Sequence, residues 1–227
     1  MTAAVPLPSD DAPPGAGDSH PVGARPILEA TRRRLTERQA EVVAELVRAA
    51  EAEVDEVGYD GVTVRGVARR AGVAPATAYN YFSSKDHLLA EVLWRQLQAL
   101  TPVTVDRRPL PERLEEAVRG LVVFAEESPA LADACTVALL GASPDVKHLR
   151  DRIGADIHRR LAAALGPDVD PQVVRVLETS YFGALLMAGM GHLPYTDIPG
   201  FVAAAAGLMV GDPARRQAPR ATKKVRP

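Results

Sequence analysis

Cysteine is almost absent from this 227-residue chain, in which Cys135 is the one thiol. A lone cysteine excludes an internal disulfide and any zinc site built from several cysteines. Long hydrophobic runs are missing as well: the longest apolar stretches are FGALLMAGM and FVAAAAGLMV, well below the ~20 residues that span a bilayer. The N-terminus also lacks the charged-then-apolar pattern of a signal peptide. We therefore expect a cytoplasmic protein with no membrane partner.

The residue patterns that mark common enzymes are missing too. The chain has no Gly-rich phosphate loop and no serine elbow, and Cys135 lies in an apolar segment without a neighbouring base. No pair among His148, His158 and His192 shares a helical face at the spacing of metal ligands. We expect no enzymatic activity, no cofactor and no metal.

Alternating apolar and polar residues and Asn-Gly hairpin turns are absent between the two ends of the chain, which argues against a β-sheet. Apolar residues recur instead at steps of three and four, as at Val43, Leu46, Val47 and Val54. This period is that of an amphipathic helix. The sequence predicts an all-α fold of about nine helices.

Capping residues, several of them followed by proline, mark the helix starts. A capping side chain accepts a hydrogen bond from an unpaired N–H of the first turn, and proline in that turn loses no hydrogen bond. The predicted caps are Thr36, Thr63, Ser84, Ser128, Ser143 and Asp170. The predicted helices are 37–57 (stopped by Gly58), 64–71, 75–81, 85–100, 111–127, 129–140, 144–165, 171–193 (ended by Pro194) and 198–210.

Positive charge is concentrated in one segment. The formal net charge is −2, yet residues 61–85 hold four basic residues and no acid, whereas residues 41–60 hold seven acids and one base. Contact with nucleic acid depends on where positive charge lies, not on the net charge of the chain. Residues 61–85 are therefore the candidate for a DNA contact.

Two short predicted helices meet at Gly72 within this segment and follow a longer amphipathic helix, as in a DNA-binding helix-turn-helix. The second begins with alanine and proline at 74–76, small enough to let the backbone enter a major groove, and Thr77 offers a hydroxyl and a methyl to base edges. Tyr79 and Tyr81 can lie on the sugar-phosphate edge and donate to phosphates.

The run GYDGVTVRGVARRAGVAPATAYNYFSSKDHLL resembles the N-terminal domain of the TetR family of bacterial transcriptional regulators. The resemblance covers about residues 37–93 strongly and the remainder in size and helical layout. It implies a ligand-responsive regulator, usually a repressor, that binds a palindromic operator in double-stranded DNA as a homodimer. The alternative is a helical interaction scaffold whose helix-turn-helix is purely structural.

The resemblance also implies roles for individual residues. The expected DNA-binding residues are Thr63, Arg65, Ala74, Pro75, Ala76, Thr77, Tyr79, Asn80, Tyr81 and Lys85. Many relatives place Ser-Lys or Ser-Arg followed by Gly where this chain has Ala74-Pro75-Ala76, so fewer side chains can donate to bases here. We therefore expect base preference to depend on Thr77, Arg65 and DNA shape.

The expected organisation is a disordered extension at 1–30, a helix-turn-helix domain at 31–84, a helical effector-binding and dimerisation domain at 85–210, and a basic disordered tail at 211–227. Four arginines precede or begin the first helix: Arg32, Arg33, Arg34 and Arg38. They either follow the adjacent DNA backbone or form an ordinary solvated charge run, and the sequence does not choose between the two.

The last two predicted helices are rich in alanine and glycine. Small residues let helices approach closely, so these helices are expected to pair with a two-fold mate, although either could be buried within one chain. Recognition helices of a dimer must lie ~34 Å apart to reach successive major grooves, and this requirement favours the dimer.

Aromatic residues make up 4% of the chain, so an interior with many alanines and glycines can leave an elongated apolar space. Such a space suits an apolar effector such as a lipid, a steroid or an acyl thioester. SPALADACTVALLG and TSYFGALLMAGMG resemble the effector domain of the actinobacterial steroid-catabolism repressors of this family. The expected lining is Trp94, Leu97, Leu121, Phe124, Cys135, Leu139, Leu140, Ile157, Tyr181 and Met187, although each position singly is also explained by core packing.

Overall fold

The computed structural model describes residues 37–103 and 107–210. Within these ranges the chain has no strand, which confirms the predicted all-α class. Nine α-helices and a 3₁₀ helix, Tyr195–Asp197, form this part of the chain: α1 (Glu37–Gly61), α2 (Val64–Arg70), α3 (Pro75–Tyr81), α4 (Lys85–Ala99), α5 (Leu110–Glu127), α6 (Pro129–Leu139), α7 (Pro144–Leu165), α8 (Pro171–Gly189) and α9 (Ile198–Val210). Outside the described residues lie the expected extension at 1–30, the tail at 211–227, Thr36 and the arginines at 32–34.

Most predicted caps form the expected hydrogen bond. The side-chain oxygens of Thr63, Ser84, Ser143 and Asp170 each accept from a backbone N–H in the first turn of their helix. Capping depends on residues next to one another in the chain, and for that reason sequence alone locates these starts closely.

Ser128 is the exception among the predicted caps inside the described ranges. It precedes α6, but its side chain makes no capping hydrogen bond. Its hydroxyl donates instead to Asp55 Oδ1 on α1 at 2.9 Å. A hydrogen bond from a hydroxyl to a carboxylate is charge-assisted, so Ser128 links α6 to α1 here.

Two helix ends differ from the prediction by more than one residue. Gly58, the predicted stop, adopts φ 67° and ψ 176° and kinks α1, which then continues to Gly61. The eighth helix ends at Gly189, earlier than the predicted 193, because Gly191 adopts φ 75°. Glycine takes a positive φ without the steric penalty of a Cβ and so closes the helix before the proline is reached.

Helix α1 packs against α2, α4 and α6, and α2 in turn packs against α3. Its contact with α2 is close: a Cβ on Gly66 would lie 2.6 Å from Glu53 Oε1. The Glu53 carboxylate is buried and accepts from Arg70 Nε at 2.6 Å. This junction therefore requires a residue without a side chain at position 66.

Helices α5 to α9 form a second body. Helix α4 joins it to the first body, which consists of α1, α2 and α3. Helix α5 packs against α9, α4 packs against α6 and α7, and α8 packs against α7 and α9. The largest fully buried side chains of this body and of the C-terminal half of α4 are Leu97, Leu114, Leu121, Leu149, Ile153, Leu161, Leu177 and Ile198. Large aliphatic groups thus occupy the contacts between helices.

The C-terminal end of α4 is held by one ion pair of α7. Arg160 donates through Nη2 to Leu97 O and through Nη1 to Thr101 O, each at 2.9 Å. Its Nε donates to the buried carboxylate of Asp156 at 2.7 Å. Arg160 therefore satisfies carbonyls at the end of one helix and a buried charge on another.

Replacing Arg160 by leucine is expected to lower the free energy of unfolding by about 3 kcal/mol, because the buried Asp156 carboxylate loses its inner partner. Arg159→Leu is the control, since Arg159 contacts the same carboxylate but its side chain is 64% exposed. An exposed pair contributes about 1 kcal/mol or less. Urea unfolding of both variants tests this, and equal losses would contradict it.

Candidate nucleic-acid interface and ligand cavity

Helix α3 projects from the surface of the first body. Ala78 is its one fully buried residue, and Phe82, which follows the helix, is buried beneath it. Gly72 adopts φ 66° in the turn before α3, and the Val73 N–H donates to Ala68 O at 2.9 Å. The turn thereby fixes α3 to α2 while its other faces stay open to solvent.

The predicted DNA-binding residues lie on, or directly before, α2, α3 and the start of α4, within residues 63–85, and this segment is called the tip. Exposed residues among them are Thr63, Arg65, Ala74, Pro75, Ala76, Tyr79 and Asn80, and half-buried ones are Thr77, Tyr81 and Lys85. The exposed fraction of Tyr79 is 53%, large for an aromatic residue. Thr63 accepts the capping N–H through Oγ1, which leaves its hydroxyl hydrogen available as a donor.

Lys85 lies against the chain instead of extending into solvent. Its Nζ donates to Tyr59 O at 2.8 Å and lies 3.9 Å from the centroid of the Tyr59 ring. An ammonium has three N–H donors, and two of those of Lys85 have no partner among the described residues. The group therefore has a fixed position from which it can donate outward.

Tyr59 and Asp86 were missed by the analysis of the sequence. The Tyr59 hydroxyl donates to Asp86 Oδ1 at 2.7 Å. Burial, and then this hydrogen bond, raise the pKa of Tyr59 to about 12. The hydroxyl thus stays protonated and ties the end of α1 to the first turn of α4. The sequence feature that could have indicated Tyr59 is its position directly after the helix-breaking Gly58.

The positive charge of the tip is smaller than the sequence count indicates. Arg70 donates to Glu53 and also contacts Glu56, so α1 compensates its charge. Arg65 and Arg69 are exposed and pair with no carboxylate in the described part of the chain. The uncompensated cations of the tip are thus Arg65, Arg69 and, in part, Lys85.

A cavity of about 370 Å³ lies among α4, α5, α6, α7 and α8. Eight of the residues predicted to line an apolar space do line it: Leu97, Leu121, Phe124, Cys135, Leu139, Leu140, Ile157 and Tyr181. Further lining residues, which the sequence did not identify, include Leu93, Thr136, Arg150, Ile153, Gly154, Phe182, Leu185 and Leu186. The apolar pattern that predicts a core face therefore also predicts about half of the cavity wall.

Trp94 and Met187 do not line the cavity, contrary to the prediction. The guanidinium of Arg152 lies 4.3 Å from the centroid of the Trp94 ring, a cation–π contact, and the ring is partly buried against the core. Met187 is 44% exposed on α8. Both lie next to lining positions in the chain, and only the packing of the helices decides which neighbour points inward.

Cys135 is a buried wall residue with no reactive character. Its Sγ lies 3.5 Å from Leu89 O, and burial raises the pKa of the thiol to about 12. A thiol that stays protonated is a poor nucleophile. Its role in the cavity is that of a small apolar side chain.

Large apolar side chains are exposed together on α8 and α9. They are Val176, Leu186, Met187, Met190, Phe201 and Leu208. Exposed apolar patches on folded proteins commonly mark interaction surfaces. No helix in the described ranges is both long enough and apolar enough to cross a membrane.

Comparison with known proteins gives a family match over the tip. The family model described as bacterial regulatory proteins, tetR family, matches residues 46–92. This range contains every residue predicted to contact DNA, together with α2, α3 and the first half of α4.

Similarity to individual proteins extends further along the chain. An HTH-type transcriptional regulator of Mycobacterium tuberculosis (strain ATCC 25618 / H37Rv) is 45% identical over 190 residues, covering 82% of this chain and 87% of that protein. The HTH-type transcriptional repressor KstR of Rhodococcus jostii (strain RHA1) is 30% identical over 167 residues, covering 70% and 78%. A crystal structure of a TetR transcriptional regulator from Rhodococcus sp. RHA1 matches with a TM-score of 0.63 at 25% identity, covering 77% and 98%.

Proposed function

The chain is a transcriptional regulator that belongs to the TetR family of bacterial regulatory proteins, and from this premise we propose that it is a cytoplasmic repressor that binds a palindromic operator as a dimer and releases it when an apolar effector occupies the cavity. The proposal rests on the outward position of α3, in which Ala78 is the one fully buried residue. A helix with so little buried surface contributes little to the core and is free to enter a groove.

The proposed DNA contacts follow from exposure and chemistry. The first turn of α3, residues 74–77, enters the major groove, where small side chains allow the backbone to approach and Thr77 meets a base edge. Tyr79 and Tyr81 donate to phosphates, and Lys85 donates through the N–H groups that Tyr59 leaves unused. Arg65 adds a cation near the cap of α2. Asn80, exposed between the tyrosines, completes the surface.

Repression is the mode that the relatives support. KstR, at 30% identity, is named a repressor. A regulator with no further domain in its described ranges acts most simply by occupying DNA that polymerase requires. Operator release then restores transcription.

Dimerisation is proposed through the exposed apolar residues of α8 and α9. One α3 reads a single half-site, which gives few base contacts. Two copies related by a two-fold axis read both halves of a palindrome, provided that their recognition helices lie ~34 Å apart. The apolar surface on α8 and α9 supplies an isologous contact that can fix this spacing.

Coupling between the cavity and DNA is proposed to run through α4. Leu93 and Leu97 of this helix line the cavity, while Asp86, at its first turn, accepts from Tyr59. An effector that favours one position of α4 therefore favours one position of the tip. It can shift the equilibrium by no more than its difference in affinity between the two states.

Tyr79→Ala is expected to weaken operator binding about tenfold or more, because a hydrogen bond to a charged group contributes ~1.5–3 kcal/mol. Tyr79→Phe keeps the ring and is expected to retain part of the affinity. Fluorescence anisotropy with an operator fragment measures both. Val137→Ala, an exposed change on α6 outside the tip, is the control. Wild-type affinity in Tyr79→Ala with normal thermal unfolding would contradict the phosphate contact.

Gly154→Leu is expected to fill part of the cavity. Gly154 lines it, and a Cβ there would meet no atom within 4 Å. Binding of the neutral dye N-phenyl-1-naphthylamine, followed by fluorescence, is expected to weaken about tenfold, a change of ~1.4 kcal/mol. Gly120→Leu is the control, since position 120 is also open on α5 but lies outside the lining. Equal binding by both variants would show that the dye does not use this cavity.

A further inference from the structure

Two polar side chains stand out in the wall of an otherwise apolar cavity. They are Arg150 on α7 and Tyr181 on α8. The third polar residue of the wall, Thr136, uses its hydroxyl within α6, where Oγ1 donates to Ala132 O at 2.9 Å. The proposed function requires only an apolar effector, and these two residues indicate which polar groups that effector carries.

Arg150 is a cation held in place by carbonyls. Its Nη1 donates to Leu139 O at 2.7 Å and to Gly141 O at 3.1 Å, at the C-terminal end of α6. Its Nε and Nη2 have no partner among the described residues, and no described carboxylate pairs with it. Arg159 and Arg160, on the same helix, share the Asp156 carboxylate instead. The neighbouring Asp151 carboxylate interacts with Arg150 but is paired with Lys147 at 2.6 Å. Arg150 thus keeps unused donors in the cavity wall.

Tyr181 is a wall residue whose hydroxyl has no acceptor among the described residues. The residue is 2% exposed, and its hydroxyl makes no hydrogen bond within the part of the chain that the structure describes. The nearby carboxylate of Asp133 accepts from Tyr195, at 2.6 Å. Burial raises the pKa of Tyr181, so the hydroxyl stays a neutral donor. A hydroxyl that lacks an acceptor in a cavity wall can donate to a bound ligand.

We propose that the effector is an apolar oxyanion, in which an anionic group binds the free guanidinium donors of Arg150, an apolar body fills the cavity, and a second oxygen accepts from Tyr181. The inference rests on the proposed role of the cavity as the effector site. A guanidinium presents paired N–H donors that match carboxylate and phosphate oxygens. Beside apolar walls this interaction is strengthened, because water competes for it less than in the open. A cationic effector would instead be repelled.

Three probes of one chain length test the charge preference: dodecanoate, dodecan-1-ol and dodecyltrimethylammonium, each titrated calorimetrically into the full chain. Dodecanoate is expected to bind about tenfold more tightly than the alcohol, as a charge-assisted hydrogen bond allows, and the ammonium most weakly. Dodecanoyl-coenzyme A, measured alongside, distinguishes a free carboxylate from the phosphates of a thioester carrier as the source of the anion. Equal affinity for dodecanoate and the alcohol, or no binding by any anionic probe, would overturn the proposal.

Arg150→Gln is expected to reduce the preference for dodecanoate over the alcohol to about twofold or less. If Arg150 has only a structural role, its replacement weakens the binding of both probes equally and leaves the ratio of their affinities unchanged. That result would also overturn the proposal. Arg152→Gln is the matched control: it removes the same charge two residues away, where the guanidinium covers Trp94 outside the cavity lining. Arg150→Lys, which keeps the charge, is expected to recover part of the preference and serves if the glutamine variant fails to fold.

Tyr181→Phe tests the second contact. It is expected to weaken binding of 12-hydroxydodecanoate several-fold while leaving dodecanoate affinity unchanged, and equal changes for both ligands would contradict the role of the hydroxyl. Operator binding by the same preparation without ligand tests the proposed function separately. Normal operator binding together with no preference for anionic ligands would contradict this inference and leave the proposed function unaffected.

Discussion

The burial of α4 in both bodies is the constraint on which the rest of the molecule depends. It packs against α1, α6 and α7, and Leu88 and Leu89 in its first half are fully buried. Its second half contributes Leu93 and Leu97 to the cavity. Close-packed interiors transmit displacements because they contain little free volume. This packing is the reason that we propose α4 as the link between the cavity and the tip.

The charge of the molecule is organised around the same helix. Acidic residues of α1 neutralise Arg70 and bind the hydroxyl of Ser128, so they serve internal contacts. Cations without an acidic partner in the described ranges include Arg65 at the tip and Arg150 in the cavity wall. A chain with a net charge of −2 can in this way present positive charge to two different anions, DNA outside and a ligand inside.

The sequence predicted the features that depend on neighbouring residues. Caps such as Thr63 and Ser84, the turn at Gly72 and the exposed face of α3 are local, and the apolar pattern identified about half of the cavity wall. Contacts between distant segments were not predictable in this way. Ser128 binds Asp55, Lys85 lies on Tyr59, and the Trp94 ring is covered by Arg152, each of which required the packing of the helices. Arg150 was not predicted to line the cavity, because an arginine in a polar helix is normally expected to face solvent.

The central claim is that the exposed tip around α3 binds duplex DNA through phosphates and a major groove, in two copies. Footprinting of the full chain on the DNA flanking its own gene, at ~50 mM and ~200 mM salt, tests this most directly. The account predicts protection of a two-fold symmetric site, with affinity falling by orders of magnitude at the higher salt because several phosphate contacts release counterions. No protection of any duplex at low salt, or binding that salt leaves unchanged, would contradict it.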